Sequence, residues 1–344
     1  MAAFHAACMA APRYTPSTYT DGGRETVILI TGGMGFIGLH TARRFVDSGE
    51  DVVVTQFRTR REPEFIRNEL GKHVIVESLD VTSPHDVIDM VRKHGVTGIV
   101  HLAVPLVGAL TPAEDYRVNM AGLINVLEAA RLGGVPRVTF ASSVAVYASL
   151  GSGPYHEDTP LPLASPGNAT EAYKKAWEVL ALHWADRTGV EVVAVRASGI
   201  YGPLYHTLLN LPSRICHAAA RGVPVNFAGA RGGAPFAEDE GDFCYVKDCA
   251  TGFFLLQSAA GPLPHRVYNI GAGESRTNAD VVAAARRLLP ELQVELQPGH
   301  GPRARKSPYL DTARAKADVG YEPEYPLERG ISDYIGWLRQ GNDF

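Results

Sequence analysis

The sequence predicts an α/β fold with a doubly wound parallel sheet, followed by a smaller C-terminal substrate domain. Short apolar runs alternate with helical patterns from Thr26 to about residue 200. These runs are continuously apolar, as in parallel strands that are covered by helices on both faces. A glycine-rich turn joins the first run to the first helix. Ligands of such sheets bind beyond the carboxyl ends of the strands.

The first unit is the stretch "TVILITGGMGFIGLHTARRFVDSGEDVVVTQF", which begins at Thr26. Its predicted first strand is Val27–Ile30. A helix follows, with Phe36, Phe45 and other apolar residues on one side, and a second buried strand covers Val52–Val54. The order strand, helix, strand is a βαβ unit, which indicates a parallel sheet.

Later elements continue the alternation in chain order. A third strand is predicted in "HVIVESLDV", and Ser83 is the predicted N-cap of the helix in "SPHDVIDMVRKHG". A fourth strand lies in "GIVHLA", and the helix "AEDYRVNMAGLINVLEAARLGG" closes on glycines. A fifth strand in "RVTFASS", a helix over 171–188 and a sixth strand in "VEVVAVRAS" complete the pattern.

Domain organisation follows from changes in composition. Residues 1–24 lack periodicity and are predicted to form a flexible tail. The dinucleotide-type domain is predicted over 25–203. After Pro203, Pro, Gly and short elements become frequent, so a substrate-binding domain is predicted over 204–344. The chain is expected to return to the first domain around 245–275.

Composition excludes several classes of protein. The formal net charge of −4 argues against a nucleic-acid partner, and no apolar run is long enough to span a bilayer. The start of the chain has no signal-peptide pattern, and the four cysteines have no CxxC spacing. We therefore expect a cytoplasmic protein with reduced thiols, no metal site and no membrane partner.

The turn "TGGMGFIG" places glycines at Gly32, Gly35 and Gly38. Between a strand and a helix, glycines permit close approach of a pyrophosphate, and the helix N-terminus offers unpaired N–H groups. A purely structural turn is the alternative. The context favours a Rossmann-type dinucleotide site, NAD or NADP, that includes Phe36 and Ile37.

The end of the second strand normally sets the choice between NAD and NADP. An acid there binds the ribose hydroxyls of NAD. This chain has Gln56 and Arg58 instead, with Arg60 and Arg61 nearby. Gln56 can bond a hydroxyl and Arg58 can pair with a 2′-phosphate, unless these arginines belong to a solvated loop. The choice of dinucleotide stays open.

Over about residues 26–340 the chain resembles the extended short-chain dehydrogenase/reductases, the NAD(P)-dependent epimerase/dehydratase group. The resemblance rests on motifs that occur in the family's order: "TGGMGFIG", Asp80-Val81, "HLA" with Leu102 and Ala103, "YRVNMAG" with Asn119, "SSVAVY" with Ser143, "RASGIYGP", "GDFCYVKDCA", "YNIGAGES" and "LDTARAKADVGYEPEYPLERGI". It implies hydride transfer at a carbinol carbon. Asp80, Val81, Leu102 and Ala103 would line the cofactor, and Ser143 would polarise the reacting oxygen.

The catalytic pair of the resembled family, Tyr-x-x-x-Lys, is broken here. Positions i and i+4 share one helical face, but the residue four after Tyr173 is Trp177. Counting back from Lys174 gives Thr170. We prefer this register, in which Lys174 holds the nicotinamide ribose and Thr170 orients the substrate. The alternative register aligns Lys175 with Glu171.

A threonine hydroxyl is too weak an acid to deliver a proton at neutral pH. Tyr147, Tyr173, His156 and Glu157 are candidates for that task. Alternatively the reaction tolerates weak acid–base help, since the cofactor supplies the hydride chemistry. A further alternative is a catalytically impaired dinucleotide-binding regulator or scaffold.

The substrate side also departs from the family pattern. Val144 and Ala145 follow Ser143 where similar sugar-nucleotide 4,6-dehydratases carry acids, which makes that subfamily unlikely. Gly241 stands where many relatives have an arginine. The predicted substrate is a sugar, a nucleotide sugar or a sugar-acid-like metabolite. Candidate substrate residues are Tyr147, Asn210, Arg214 and Arg305, the last beside Arg303.

The resemblance further implies a homodimer through the helices that start near residues 113 and 171. Apolar residues on these helices serve either that contact or the core: Leu123, Val126, Leu127, Trp177 and Leu180.

Overall fold

The computed structural model describes residues 26–57, 64–105, 109–163, 167–228 and 233–342. Arg58, Arg60, Arg61 and the predicted tail lie outside these ranges. The strands of the described ranges are β1 Val27–Thr31, β2 Asp51–Gln56, β3 Val74–Ser78, β4 Gly98–His101, β5 Arg137–Ala141, β6 Glu191–Ala197, β7 Gly199–Tyr201, β8 Glu240–Gly241, β9 Phe243–Tyr245, β10 Val267–Ile270 and β11 Arg276–Thr277.

The helices of the described ranges are α1 Phe36–Val46, α2 Pro84–Lys93, α3 Pro112–Gly133, α4 Ala169–Thr188, α5 Leu211–Arg221, α6 Val246–Ser258, α7 Asn278–Leu288, α8 Ala313–Val319 and α9 Leu327–Arg339. Short 3-10 helices cover Glu64–Glu69 and Val144–Tyr147. The first of these was not predicted, because six residues between two strands show too little periodicity.

Seven parallel strands form the main sheet in the order β10-β6-β5-β4-β1-β2-β3. The predicted doubly wound α/β fold is thereby confirmed. The strand order reverses between β1 and β4, and ligands of such sheets bind at this switch point. The late strand β10 lies beside β6 at one edge. The boundary between the two predicted domains stays a prediction.

The two faces of the sheet carry separate apolar cores. Ile28 and Ile30 of β1 belong to the core under α1 and α6, whereas Leu29 between them belongs to the core under α2, α3 and α4. Successive side chains of a strand point to opposite faces, so a strand that is buried on both faces is apolar throughout. A third core, formed with α5, α7 and α9, lies in the C-terminal part.

Helix ends agree with the predicted signals where a capping side chain is present. Ser83 accepts a hydrogen bond from the backbone N–H of Asp86 at 3.5 Å, and Gly134 ends α3 in the left-handed conformation. Helix α4 begins two residues earlier than predicted, at Ala169. The reason is Asn168, whose side chain accepts from the backbone N–H of Glu171 at 2.9 Å and caps the helix.

Candidate active site

The glycine turn between β1 and α1 is closely packed against the end of β4. Gly32 has a positive φ of 68°, and a Cβ added to it would lie 2.9 Å from the Cα of Ala103. A Cβ on Gly38 would lie 2.6 Å from the carbonyl oxygen of Gly32. Any larger residue at either position would push the turn apart. The spacing of these glycines is therefore a requirement of the backbone itself.

The N-terminus of α1 has no side-chain cap. Its N-cap residue is Gly35, so the N–H groups of the first turn, on Phe36, Ile37 and Gly38, have no side-chain acceptor there. Exposed N–H groups and the positive end of the helix dipole favour an anion at this point. The turn therefore has the form and the polarity that the pyrophosphate of a dinucleotide requires.

Two further predicted cofactor segments lie at neighbouring strand ends. Gln56 is the last residue of β2, and its carbonyl accepts from the N–H of Leu79 at 2.9 Å. Asp80 accepts from the backbone N–H and the hydroxyl of Thr82 at 2.9 Å and 2.7 Å. The carbonyl of Val81 accepts from the side chain of Asn125 of α3 at 3.0 Å. These bonds hold the end of β3 against α3.

The end of β4 is tied to the end of β1. Thr31 accepts at its carbonyl from the N–H of Leu102 at 3.1 Å and at its hydroxyl from the N–H of Ala103 at 3.4 Å. The same hydroxyl lies 2.7 Å from Nδ1 of His101. The His101 ring is buried and stacks on Trp177 at 5.2 Å. Burial, and then the charge of Lys174, lower the pKa of His101 to about 3, so the imidazole is neutral.

Helix α4 presents two adjacent lysines with different surroundings. Both Lys174 and Lys175 are only 4 % exposed. Lys175 forms an ion pair with Glu171 at 2.6 Å and donates to the carbonyl of Pro162. Lys174 donates to the carbonyl of Ala141, at the end of β5, and its Nζ lies 3.8 Å from the centre of the Trp177 ring.

Burial controls the protonation of Lys174. Desolvation of the ammonium lowers its pKa to about 7, against the opposing influence of Glu178 one turn along the helix. Glu178 itself accepts from Arg196 at 2.7 Å and from the hydroxyl of Ser142. The charged and the neutral forms of Lys174 therefore have similar free energies near neutral pH.

Ser143 lies directly after the end of β5, next to Ala141 and Ser142. Its hydroxyl accepts from the N–H of Ala145 at 3.1 Å and caps the 3-10 helix Val144–Tyr147. A hydroxyl in this position still has its proton to donate to a substrate oxygen. The predicted polarising role of Ser143 stays a prediction.

The predicted tyrosines are both buried. The Tyr147 side chain is fully enclosed, and burial raises the pKa of its hydroxyl. This hydroxyl lies 3.0 Å from the carbonyl of His156 and 2.6 Å from Nη1 of Arg196. Tyr173 packs 5.9 Å from Trp177 in the core between α4 and the sheet. Burial raises the pKa of Tyr173, a hydrogen bond with Thr170 opposes that shift, and Asp115 adds to it.

The other two proton-transfer candidates are engaged elsewhere. His156 has a 57 % exposed side chain that lies 3.6 Å from Asp311. Glu157 is buried, and its carboxylate accepts from the backbone N–H of Asn269 at 2.9 Å. Both residues belong to the segment that joins the loop after β5 to the chain near residue 310.

The candidate substrate residues are dispersed. Asn210 caps α5 by accepting from the N–H of Ser213 at 2.9 Å, and its amide donates to the carbonyl of Ile200 at 2.9 Å. Arg214 donates to the carbonyl of Asn226 at 3.1 Å. Arg305 lies 3.4 Å from the hydroxyl of Tyr155. Tyr147 and Asn210 thus have clear structural tasks here, and their contact with a substrate stays a prediction.

This arrangement combines a dinucleotide cradle at the switch point of the sheet with a lysine and a hydroxyl at the end of β5. A family model described as "NAD dependent epimerase/dehydratase family" matches residues 28–271. The chain belongs to the NAD dependent epimerase/dehydratase family. The resemblance, the enzyme class and the cofactor class that the sequence predicted are confirmed. The choice between NAD and NADP for this chain is still open.

Relatives of this epimerase/dehydratase chain are similar over most of their length. UDP-glucose 4-epimerase of Neisseria gonorrhoeae is 26% identical over 333 residues, with 90% of this chain and 97% of the relative covered. dTDP-glucose 4,6-dehydratase of Escherichia coli is 27% identical, with 92% and 94% covered. The structure of Thermus thermophilus UDP-glucose 4-epimerase in complex with NAD has a TM-score of 0.74 at 24% identity, with 91% and 99% covered.

The site residues fit the dinucleotide of this family. The glycines let the turn pack closely against the end of β4, and no side chain caps the N-terminus of α1, so the N–H groups of its first turn can bind the pyrophosphate. Within the described residues no group of three or more His, Cys, Asp or Glu is arranged to hold a metal ion. In the same ranges no helix is long and apolar enough to cross a membrane.

Sequence reasoning missed three contributors to the site: His101, Trp177 and Arg196. The sequence shows His101 only within "HLA", and it indicates for Trp177 a place four residues after Tyr173 and a role in the core or in a dimer contact. Arg196 holds Glu178 and Tyr147 together from β6. The sequence contains a signal for Arg196, because it is a charged residue within the otherwise apolar run of β6. A charge buried in such a strand needs a partner of opposite charge.

Proposed function

We propose that this chain transfers a hydride reversibly at a carbinol carbon of a nucleotide sugar, with epimerisation as the net reaction. Support comes from the family, from the substrates named for its relatives, and from the position of Lys174 beside the end of β5. The absence of acids at Val144 and Ala145 disfavours 4,6-dehydration. The single observation on which the proposal depends is the burial of Lys174 one helical turn after Thr170, with its ammonium bound to the carbonyl of Ala141 at the end of β5.

In binding the cofactor and the substrate, each residue would have one task. The first turn of α1 would bind the pyrophosphate, Asp80 and Val81 would lie against the adenine, and Lys174 would hold the nicotinamide ribose. Ser143 would donate a hydrogen bond to the reacting oxygen, and Thr170 would orient the substrate hydroxyl. The dinucleotide, when bound, supplies hydride acceptance and return.

The test is incubation of the purified protein and NAD with UDP-glucose, UDP-glucuronate and dTDP-glucose in turn. Proton NMR of the products identifies the carbon at which configuration has changed. We expect epimerisation of at least one of these compounds. The control is Gly38→Ala protein, in which the cradle is disrupted. If the wild-type protein binds NAD but converts none of the three, the proposal fails for these substrates.

A second candidate function has one observation in its favour, the threonine at the position of the tyrosine. A catalytically impaired regulator or scaffold would bind the dinucleotide and transfer no hydride. Calorimetric titration with NAD⁺, NADH, NADP⁺ and NADPH, carried out before the assay, separates the two candidates and tests the dinucleotide preference. We further propose a homodimer and a cytoplasmic location.

A further inference from the structure

Lys174 and Lys175 form a natural comparison. They are adjacent, equally buried and on one helix, yet only Lys175 has a carboxylate partner. Within the described part of the chain, no carboxylate lies within ion-pair distance of Lys174. A buried ammonium without a carboxylate partner destabilises the fold by its desolvation free energy, and loss of its proton relieves this cost.

The groups around Lys174 come from β4, β5, β6, α3 and α4. His101 of β4 is neutral, and Tyr173 and Trp177 of α4 present their rings. Glu178, one turn along α4, is occupied by Arg196 of β6 and by Ser142. Asp115 of α3 acts on Tyr173 rather than on the lysine. The hydrogen-bond acceptor of the Lys174 ammonium is therefore the neutral carbonyl of Ala141.

Other titratable groups near the end of β5 are not suited to exchange a proton at neutral pH. Burial raises the pKa of Tyr147 and of Tyr173 above the ordinary value for a phenol. Glu171 is held by Lys175, by Ser149 and by the N–H of Gly167. Of these groups, Lys174 is the one suited to exchange a proton. Its ammonium donates one N–H to the carbonyl of Ala141, and its other two N–H groups are available to further acceptors.

We propose that the ε-amino group of Lys174 is the proton donor and acceptor of the reaction, and that the hydroxyl of Thr170 passes the proton to and from the substrate. Thr170 and Lys174 lie four residues apart, on one face of α4, and the Thr170 hydroxyl is also hydrogen-bonded to Tyr173, which the relay must displace. A threonine is a poor acid, but its hydroxyl can accept one proton as it gives up another. This inference rests on the proposed function and assigns the acid and base within it.

The step balances in both directions. During oxidation, the substrate C–H bond breaks and the hydride leaves to the oxidised dinucleotide. The substrate O–H proton moves to Thr170, and the Thr170 proton moves to the neutral amine of Lys174. During reduction, the hydride returns to the carbonyl carbon, the ammonium gives its proton to Thr170, and Thr170 protonates the oxygen. Lys174 ends as the neutral amine and the cycle can restart.

The pH dependence has a definite sign. Since burial lowers the pKa of Lys174 to about 7, the neutral amine predominates above that pH. Oxidation, which needs the base, should speed up as pH rises through about 7 and then level off. Reduction, which needs the acid, should slow over the same range.

The test is a pH series of single-turnover hydride uptake from the nucleotide sugar that the wild-type protein converts, followed by absorbance of the reduced nicotinamide. Lys174→Arg keeps a positive charge, but a guanidinium cannot lose its proton at these pH values. The rate of hydride uptake should therefore fall by about 100-fold or more, and its rise near neutral pH should vanish. In Lys175→Arg the rise should stay. A rise that persists in Lys174→Arg, or that moves in Lys175→Arg, overturns the inference.

The relay has its own test. Thr170→Val should slow uptake by about 100-fold, and Thr170→Ser should restore most of the rate because it keeps the hydroxyl. Equal rates in the two variants exclude Thr170 as the relay. In Tyr173→Phe the rise of the uptake rate near neutral pH should persist. If the rise disappears in this variant, Tyr173 is the group that exchanges the proton.

A measurement without substrate separates this inference from the proposed function. In protein labelled with ¹³C at lysine Cε, one resonance should titrate near pH 7 and be absent in Lys174→Arg. If Lys174 titrates only in the range of an exposed lysine, the inference fails while the proposed function stands. If no nucleotide sugar is oxidised although Lys174 titrates near pH 7, the proposed function fails instead.

Discussion

At the scale of single residues, α4 contains two buried cations whose energetic roles differ. Lys175 lies against Glu171 at 2.6 Å, whereas Lys174 is bound to a neutral carbonyl and an indole ring. Loss of one partner from a buried ion pair leaves an uncompensated charge, while loss of an unpaired buried cation removes a desolvation cost. The same type of residue can thus stabilise or destabilise the fold according to its partner.

We predict that Lys174→Met is more stable than the wild-type protein at and below neutral pH. The folded pKa of Lys174 is about 7 against 10.5 in an exposed lysine, so the unfolded chain holds the extra proton between these values. Wild-type stability should therefore gain about 1.4 kcal/mol per pH unit in that window, relative to the variant. Urea denaturation of both proteins at pH 6, 8 and 9 measures this difference.

The matched variant is Lys175→Met. It leaves Glu171 buried without its cation, and we expect a loss of about 3–5 kcal/mol in the free energy of unfolding. Parallel stability curves for wild type and Lys174→Met over this pH range would show that Lys174 keeps an ordinary pKa. Equal effects of the two substitutions would contradict the distinction between the lysines.

At the scale of elements, the turn from β1 to α1 has little tolerance for change. We predict that Gly38→Ala weakens NAD⁺ binding at least about 10-fold and destabilises the fold by about 1–3 kcal/mol. The added methyl group would lie 2.6 Å from both Gly32 O and Gly33 Cα, so the first turn of α1 must shift. Calorimetric titration and thermal denaturation measure the two effects.

The control for this element is Gly336→Ala in α9. A Cβ there would meet no atom within 4 Å, and alanine is favoured over glycine inside a helix. This variant should bind NAD⁺ as the wild type does, with equal or higher stability. Unchanged NAD⁺ affinity in Gly38→Ala would mean that the turn does not form the pyrophosphate site.

At the scale of the whole molecule, α3 and α4 present apolar residues that the described part of the chain does not cover. Of the five residues predicted to serve either a dimer contact or the core, Leu123, Val126, Leu127 and Trp177 are buried, and Leu180 is 46 % exposed. The other exposed apolar residues on these two helices are Tyr116, Ile124, Leu132 and Val179. Adjacent helices with such a surface are typical of an interface between subunits.

We predict a homodimer in which this surface is buried. Ile124→Glu together with Leu180→Glu should convert the dimer to a monomer at micromolar concentration, since both charges would enter an apolar contact. Sedimentation velocity measures the change. The control is Leu288→Glu, an equally exposed apolar position on α7 at 44 % exposure. A monomeric wild-type protein would refute the prediction.

The elements were predictable where one short stretch contains the whole signal. The apolar run at β1, the glycine turn, and the caps Ser83 and Gly134 each act on their own neighbours in sequence. The register that pairs Thr170 with Lys174 stays a prediction, because spacing alone also permits the pair Glu171 and Lys175. The 3-10 helix Glu64–Glu69 and the exact start of α4 were missed, because short or cap-dependent elements depend on few residues.

The sequence by itself determined the alternation of strands and helices, the dinucleotide turn, and the departure from Tyr-x-x-x-Lys, since these are patterns of neighbours along the chain. Only the tertiary structure decided which lysine has a carboxylate, that Tyr147 and Tyr173 are enclosed, and that Arg196 holds Glu178. Protonation depends on the burial and partners of each group. These are set by side chains from β4, β5, β6 and α4 that meet only when the sheet is assembled.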